Sequence, residues 1–365
     1  MAIMLVVARH GIQPFWEADG FSTLGGWDVG TAFHNGWMGV DLFFVLSGFL
    51  ITLHIVRRYG SEFGAGDLRD YARRRVYRIV PAYVASMAVA VSGLIPLFDV
   101  HREAMLWRIG YHLLFLQDYL DADIVVAYWS LGVEEKFYLL APFVLMAVLR
   151  LSSGRARYAA VATLACIPTV LRVAAVVQGP GVDDYPTFFV QTRSPFHLTF
   201  DGLALGVLAA LVYLDREKLS WTRNQAITST LCWSGIVVFG ALLFVEPMME
   251  EISVFDRTAM QSLIALASAS TLLGLVLGGG PIRLLSGQRL FVVGKLSYAW
   301  YLMHLMTIPL SWELANASGT STLTVFVTFV PVYLGLSLAL ALGVHVAVER
   351  PFLARRDATR RIDSM

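Results

Sequence analysis

The stretch YWSLGVEEKFYLLAPFVLMAVL (128–149) decides the fold. It is long and apolar enough to cross about 30 Å of hydrocarbon as a helix, yet Glu134, Glu135 and Lys136 stand near one end. Charge inside a span is costly, so these groups need a reason to be there. The whole chain has the same character. Of its 365 residues, 57% are hydrophobic and 15% charged, and the mean hydropathy is +0.63. Soluble domains hold about 45–50% apolar residues. The expected fold is all-α, a polytopic membrane helical bundle. A net charge of +1 gives no global bias toward nucleic acid or another polyanion, and no nucleic-acid partner is expected.

Apolar runs near 37–56, 79–98, 130–149, 158–178, 196–214, 226–245, 258–277, 291–310 and 322–348 predict nine spans. Residues 2–15 form a shorter first helix, which brings the count to about ten. Residues 104–120 are apolar but short and contain Arg108 and His112, which suits a re-entrant or interfacial helix. With 104–120 not crossing and the N-terminus cytoplasmic, the great majority of the 28 Lys and Arg residues fall in cytoplasmic segments, as short loops require. Both termini are then cytoplasmic. One membrane domain over 1–352 is followed by a short basic tail, 353–365. The opening MAIMLVVARHGIQPFW lacks the pattern of a cleaved leader. Cys166 and Cys232 lie in separate apolar runs without metal-ligand spacing and read as buried hydrophobes.

Ionisable groups inside spans are functional candidates by default. Asp41, Glu134, Glu135, Asp201, His197, His304 and His10 gather toward one depth on separate helices. Each also has a plain structural reading. Asp41 could cap the helix it opens, and Glu135 and Lys136 could pair with neighbouring helices. Their convergence lifts the set above those readings. At the other end, RDYARRRVYRIVPAY (69–83) places Arg75 and Arg78 three residues apart on one helix face, a spacing suited to clamping phosphate. A GxSxG elbow, a P-loop, HExxH and HxxxxD are all absent. Ser47 and Gly48 read as small residues that permit close helix packing.

Six segments in order resemble acyltransferase family 3, the bacterial membrane proteins that O-acylate cell-envelope glycans and, in some members, macrolides. They are GVDLFFVLSGFLI (39–51), RRRVYRIVPAY (73–83), WSLGVEEKFYLLAP (129–142), FDGLALGVLAA (200–210), GKLSYAWYLMH (294–304) and VERPF (348–352). The resemblance implies ten helices in the bacterial inner membrane and a cytoplasmic acyl-CoA donor, by family habit acetyl-CoA. It also implies a catalytic histidine in the first helix, which LVVARHG makes His10, and an arginine pair at Arg75 and Arg78 for the CoA end. Family members carry an arginine about ten residues before that histidine. This sequence holds none, so the expectation is an upstream segment or an impaired relative.

The mechanism expected from these residues uses His10 as general base on an acceptor hydroxyl, or as the acyl carrier. Glu134 or Asp41 would orient His10. Trp129, Ser130 and Tyr298 would donate hydrogen bonds to an oxyanion or acceptor, and Glu135 and His304 complete the substrate-binding set. No metal is expected. The rivals are a proton-coupled transporter, which needs the same buried groups, and a catalytically inactive scaffold.

Overall fold

The computed structural model describes residues 1–15, 23–24, 27–60, 63–179, 182, 184–245, 252–282, 287–317 and 321–362. Among the described residues the regular secondary structure is helical apart from one two-residue antiparallel pairing, Thr23–Leu24 with Trp27–Asp28. The main helices are α1 (Ala2–Ile12), α2 (Met38–Tyr59), α3 (Ala65–Ser92), α4 (Met105–Leu113), α5 (Trp129–Leu149), α6 (Gly154–Gln178) and α7 (Asp201–Leu214). They continue with α8 (Gln225–Leu242), α9 (Met260–Val276), α10 (Gln288–Met303), α11 (Ile308–Asn316), α12 (Thr322–Val344) and α13 (Arg350–Ile362).

Four continuous helical stretches are long and apolar enough to cross a membrane: Gly30–Tyr59, Gly154–Gln178, Gln225–Leu242 and Thr322–Asp357. Asp201–Leu214 and Met260–Val276 are shorter apolar helices. The chain is therefore a helical membrane protein. Length and apolarity alone single out fewer spans than the ten expected, because α3 and α5 carry the charged candidates and α10 is interrupted.

Several expected boundaries move, each for a local reason. The span expected at 79–98 begins at Ala65, where the Asp67 carboxylate accepts the Gly64 N–H at 3.0 Å and caps the first turn. It stops at Ser92, because Gly93 takes φ 73°, the left-handed conformation that ends helices. Of the segment 104–120 only Met105–Leu113 is helical. The run 291–310 breaks at His304–Thr307, one tight turn before α11. Pro309, in the first turn of α11, lacks an N–H and its ring crowds the Leu305 carbonyl, which favours a break just before it. The run 196–214 likewise divides at Phe200, and a π-helical turn, Phe189–Arg193, precedes it. The expected tail is helical over its described residues, because α12 runs through a π-helical turn at His345–Glu349 into α13 despite Pro351.

The largest apolar core joins Ile3, Val6 and Val7 of α1 to Tyr83 of α3, Leu131 of α5, Leu302 of α10 and Phe329 of α12. Close backbone contact joins α2 to both α7 and α1. A Cβ on Gly48 of α2 would lie 2.0 Å from the Leu203 carbonyl oxygen of α7, and one on Gly39 would lie 2.6 Å from the Ala2 oxygen of α1. Only glycine allows these approaches. The Gly39 contact seats α1, and with it His10, against the start of α2.

Candidate active site

His10 lies in the last turn of α1. Its Nδ1 stands 3.0 Å from Nε2 of His304, with ring centroids 5.0 Å apart. His304 is fully buried at the break between α10 and α11, and its Nδ1 lies 2.8 Å from the Tyr301 carbonyl oxygen. The break is itself hydrogen-bonded, since Thr307 Oγ1 donates to the His304 carbonyl at 2.9 Å and Ser311 Oγ donates to that of Thr307 at 2.7 Å.

A cavity of about 380 Å³ opens beside His10. Its walls include Arg9, Trp37, Trp129, Tyr185, Arg193 and Tyr301. Arg193 is presented by the π-helical turn and held bidentately by Asp41, at 2.8 and 2.7 Å. Its guanidinium also lies 4.8 Å from the Trp37 ring and 5.0 Å from that of Trp129. Asp41 therefore neither caps α2 nor orients His10. Its carboxylate is committed to Arg193, a pair that offsets the desolvation of both charges.

A second cavity, of about 190 Å³, is lined by Arg75, Arg78, Ser130, Glu134, Tyr138 and Tyr298 among others. Val40 and Tyr301 line both cavities. At this boundary Ser130 Oγ lies 2.6 Å from the Tyr301 hydroxyl, which donates to the Ala127 carbonyl at 2.7 Å. Tyr138 donates to Glu134 at 2.6 Å. Glu134 thus sits with Tyr138 on the arginine side, and neither expected carboxylate hydrogen-bonds His10. His304 occupies that place instead. Tyr298 donates to the Ile79 carbonyl at 3.0 Å, so its hydroxyl is engaged in joining α10 to α3.

The two arginines differ. Arg78 forms an ion pair with buried Glu349, which also contacts His345 Nδ1 at 2.6 Å. Arg75 lies over the rings of Tyr71 and Tyr138 at 5.9 and 5.8 Å, and its buried Nε has no hydrogen-bond partner. Arg58, Arg73 and Arg74 all bind Asp70, which also accepts from Tyr59. Desolvation pushes the Asp70 carboxyl up, but the hydrogen bonds from Arg74, Tyr59, Arg73 and Arg58 outweigh it and hold it well below the usual carboxylate range.

The remaining candidates stand apart. Lys136 donates to buried Asp118 at 2.5 Å and to the Phe115 carbonyl at 2.6 Å, tying α5 to the segment after α4. Glu135 lines neither cavity and has a buried oxygen without a partner. Asp201 is held by Arg172 at 2.8 Å and Ser262 at 2.5 Å in a buried network between α6, α7 and α9. His197 stacks on Tyr119 and meets its hydroxyl at 2.9 Å. Among the described residues no group of three or more His, Cys, Asp or Glu side chains could hold a metal ion. Sequence reasoning missed Arg193 and Tyr301. Arg193 reads as one more loop cation until its partner is known, although the polar run QTRSP (191–195) between apolar segments marks an interruption.

Residues 1–346 match the acyltransferase-domain family, which covers nearly the whole chain. The chain belongs to acyltransferase family 3. Among its relatives, YrhL of Bacillus subtilis (strain 168), provisionally named a peptidoglycan O-acetyltransferase, is 28% identical over 297 residues, covering 76% of this chain and 45% of YrhL. The O-acetyltransferase OatA of Staphylococcus aureus (strain NCTC 8325 / PS 47) is 25% identical over 288 residues, covering 74% of this chain and 45% of OatA. ORF330 of Acidianus two-tailed virus, provisionally named an acetyltransferase, is 26% identical over 277 residues, covering 75% of this chain and 74% of its own. The match spans less than half the length of YrhL and OatA. No solved structure matches the chain.

Proposed function

We propose that this acyltransferase family 3 protein is an integral-membrane O-acyltransferase that moves an acetyl group from cytoplasmic acetyl-CoA to a hydroxyl of a cell-envelope carbohydrate. The observation that carries the reading is the pair of abutting cavities, one holding His10 and the other Arg75, sharing Val40 and Tyr301 as a common wall. A donor and an acceptor entering from opposite sides would meet there. The family match and the acetyltransferase names of the relatives support the reaction class.

On this reading the helices make about ten crossings of the bacterial inner membrane. The arginine-rich end of α2 and α3 faces the cytoplasm, where basic loops are retained, and both termini lie on that side. CoA phosphates meet Arg75, which has no carboxylate partner among the described residues, with Arg78 beside it. The thioester reaches the Ser130–Tyr301 boundary, where the Ser130 hydroxyl turns from Tyr301 to donate to its oxygen while Tyr301 stays bound to the Ala127 carbonyl. The acceptor occupies the larger cavity, against the Trp129 and Tyr185 rings.

His10 takes the proton from the acceptor hydroxyl while that oxygen attacks the thioester carbon. The C–O bond forms and the C–S bond breaks. The proton then passes from His10 to the departing thiolate, leaving an acetyl ester and free CoA thiol. The test is to incubate membranes containing the protein with acetyl-labelled acetyl-CoA and identify the labelled product. Label in an alkali-labile ester on a carbohydrate is the expected result. Movement of a solute without consumption of acetyl-CoA would replace the reading with that of a transporter.

A further inference from the structure

We propose that His304 is a positioning residue that fixes the tautomer of His10, leaving the Nε2 lone pair of His10 as the only base the ring offers. This deepens the functional reading above and rests on it. The inference follows a chain of hydrogen bonds that begins at a carbonyl. A carbonyl oxygen can only accept, so the 2.8 Å contact between His304 Nδ1 and the Tyr301 oxygen places a hydrogen on Nδ1. Among the described residues no carboxylate hydrogen-bonds either imidazole, and His304 is fully buried, so both rings are neutral in the resting protein. A neutral imidazole has one donor and one acceptor. His304 Nε2 is therefore an acceptor, and the 3.0 Å contact to His10 Nδ1 requires the hydrogen to be on His10. His10 Nε2 is left bare beside the larger cavity, whose wall includes His10.

The backbone holds the first link of the chain in place. His304 stands at the helix break just before Pro309, and Thr307 and Ser311 brace that break. The direction of the relay is thus set by main-chain geometry rather than by a charged partner. In a His–carboxylate pair the orienting group is an anion that also stabilises the imidazolium. Here the orienting group is a neutral acceptor. When His10 is protonated on Nε2, its Nδ1–H donates to His304 as a charge-assisted bond, which strengthens at the step where charge develops.

The test is two-bond 15N–1H spectroscopy of the purified full chain, labelled with ring-15N histidine and with His10 assigned by its loss in His10→Asn. The expected wild-type spectrum shows His10 protonated on Nδ1 and bare on Nε2 at neutral pH. His304→Leu, which removes the acceptor at similar volume, should release His10 to the opposite tautomer. It should also lower kcat for acetyl transfer by about 10²-fold with the KM for acetyl-CoA unchanged, a loss of the size general-base catalysis supplies. His304→Gln, whose amide oxygen can accept the same bond, should restore both the tautomer and kcat to within about tenfold of wild type. A wild-type His10 protonated on Nε2, or a Leu variant with an unchanged His10 spectrum, overturns the inference. If His304→Leu fails to fold, the wild-type spectrum and the Gln variant still decide it. Transfer that survives His10→Asn removes His10 from the reaction, and wild-type membranes that transfer no acetyl group defeat the functional reading itself. Transfer that needs His10 while the tautomer is the opposite one defeats only this inference.

Discussion

At the residue scale, similar charges do different things according to what they touch. Lys136 is half-buried and bonded to buried Asp118 and two carbonyls, so its place is structural. Lys136→Met leaves the Asp118 carboxylate uncompensated in the interior, which costs about 3–5 kcal/mol. The expected outcome is a lower unfolding temperature in detergent with transfer per folded molecule within about threefold of wild type. Arg75 and Arg78, equivalent by spacing, diverge because Glu349 occupies Arg78. Arg75→Ala should raise the KM for acetyl-CoA about tenfold or more, whereas Arg78→Ala should have the smaller effect on KM and the larger one on stability, since it strands buried Glu349. Initial-rate kinetics on purified variants, with thermal melts alongside, separate the two. His10, Arg75 and Glu134 could be singled out from the sequence because ionisable residues are rare inside spans. The pairing of Asp41 with Arg193 could not, since 152 positions separate the partners.

At the element scale, runs of apolar residues locate α2, α5 and α6 within a few positions, because their hydrophobic stretches end at charges or turns. Those runs do not show that α10 breaks at His304, although Pro309 is a visible signal for it. They also mislead at 79–98, where the helix is nucleated earlier by polar contacts around Asp67 and Asp70. Asp70→Asn should loosen this entrance. The folded-state carboxyl is held below its unfolded value of about 3.9, so its stabilisation is fully present above that pH and is lost only as pH falls toward the lower folded value. The melting difference between wild type and Asp70→Asn should therefore be the same at pH 6 and pH 8 and shrink below about pH 4. Gly48→Val tests the other packing device. With 2.0 Å between the added Cβ and the Leu203 oxygen, α2 and α7 must separate, and a melt of the purified variant should show a loss of several degrees.

At the scale of the whole molecule, hydrophobic excess makes the membrane character plain, and family segments spread over the chain carry the reaction class. The meeting of two cavities was not legible, because it depends on which side chains of α1, α2, α5 and α10 converge after the helix breaks are in place. The central claim is that His10, in the larger of these two cavities, carries acetyl transfer. It is tested most directly by supplying labelled acetyl-CoA to membranes that hold matched amounts of wild-type protein or His10→Ala, and counting ester-bound label. The expected result is labelled product from wild type and none above background from His10→Ala, with both proteins equally folded. Equal label from the two would contradict the account.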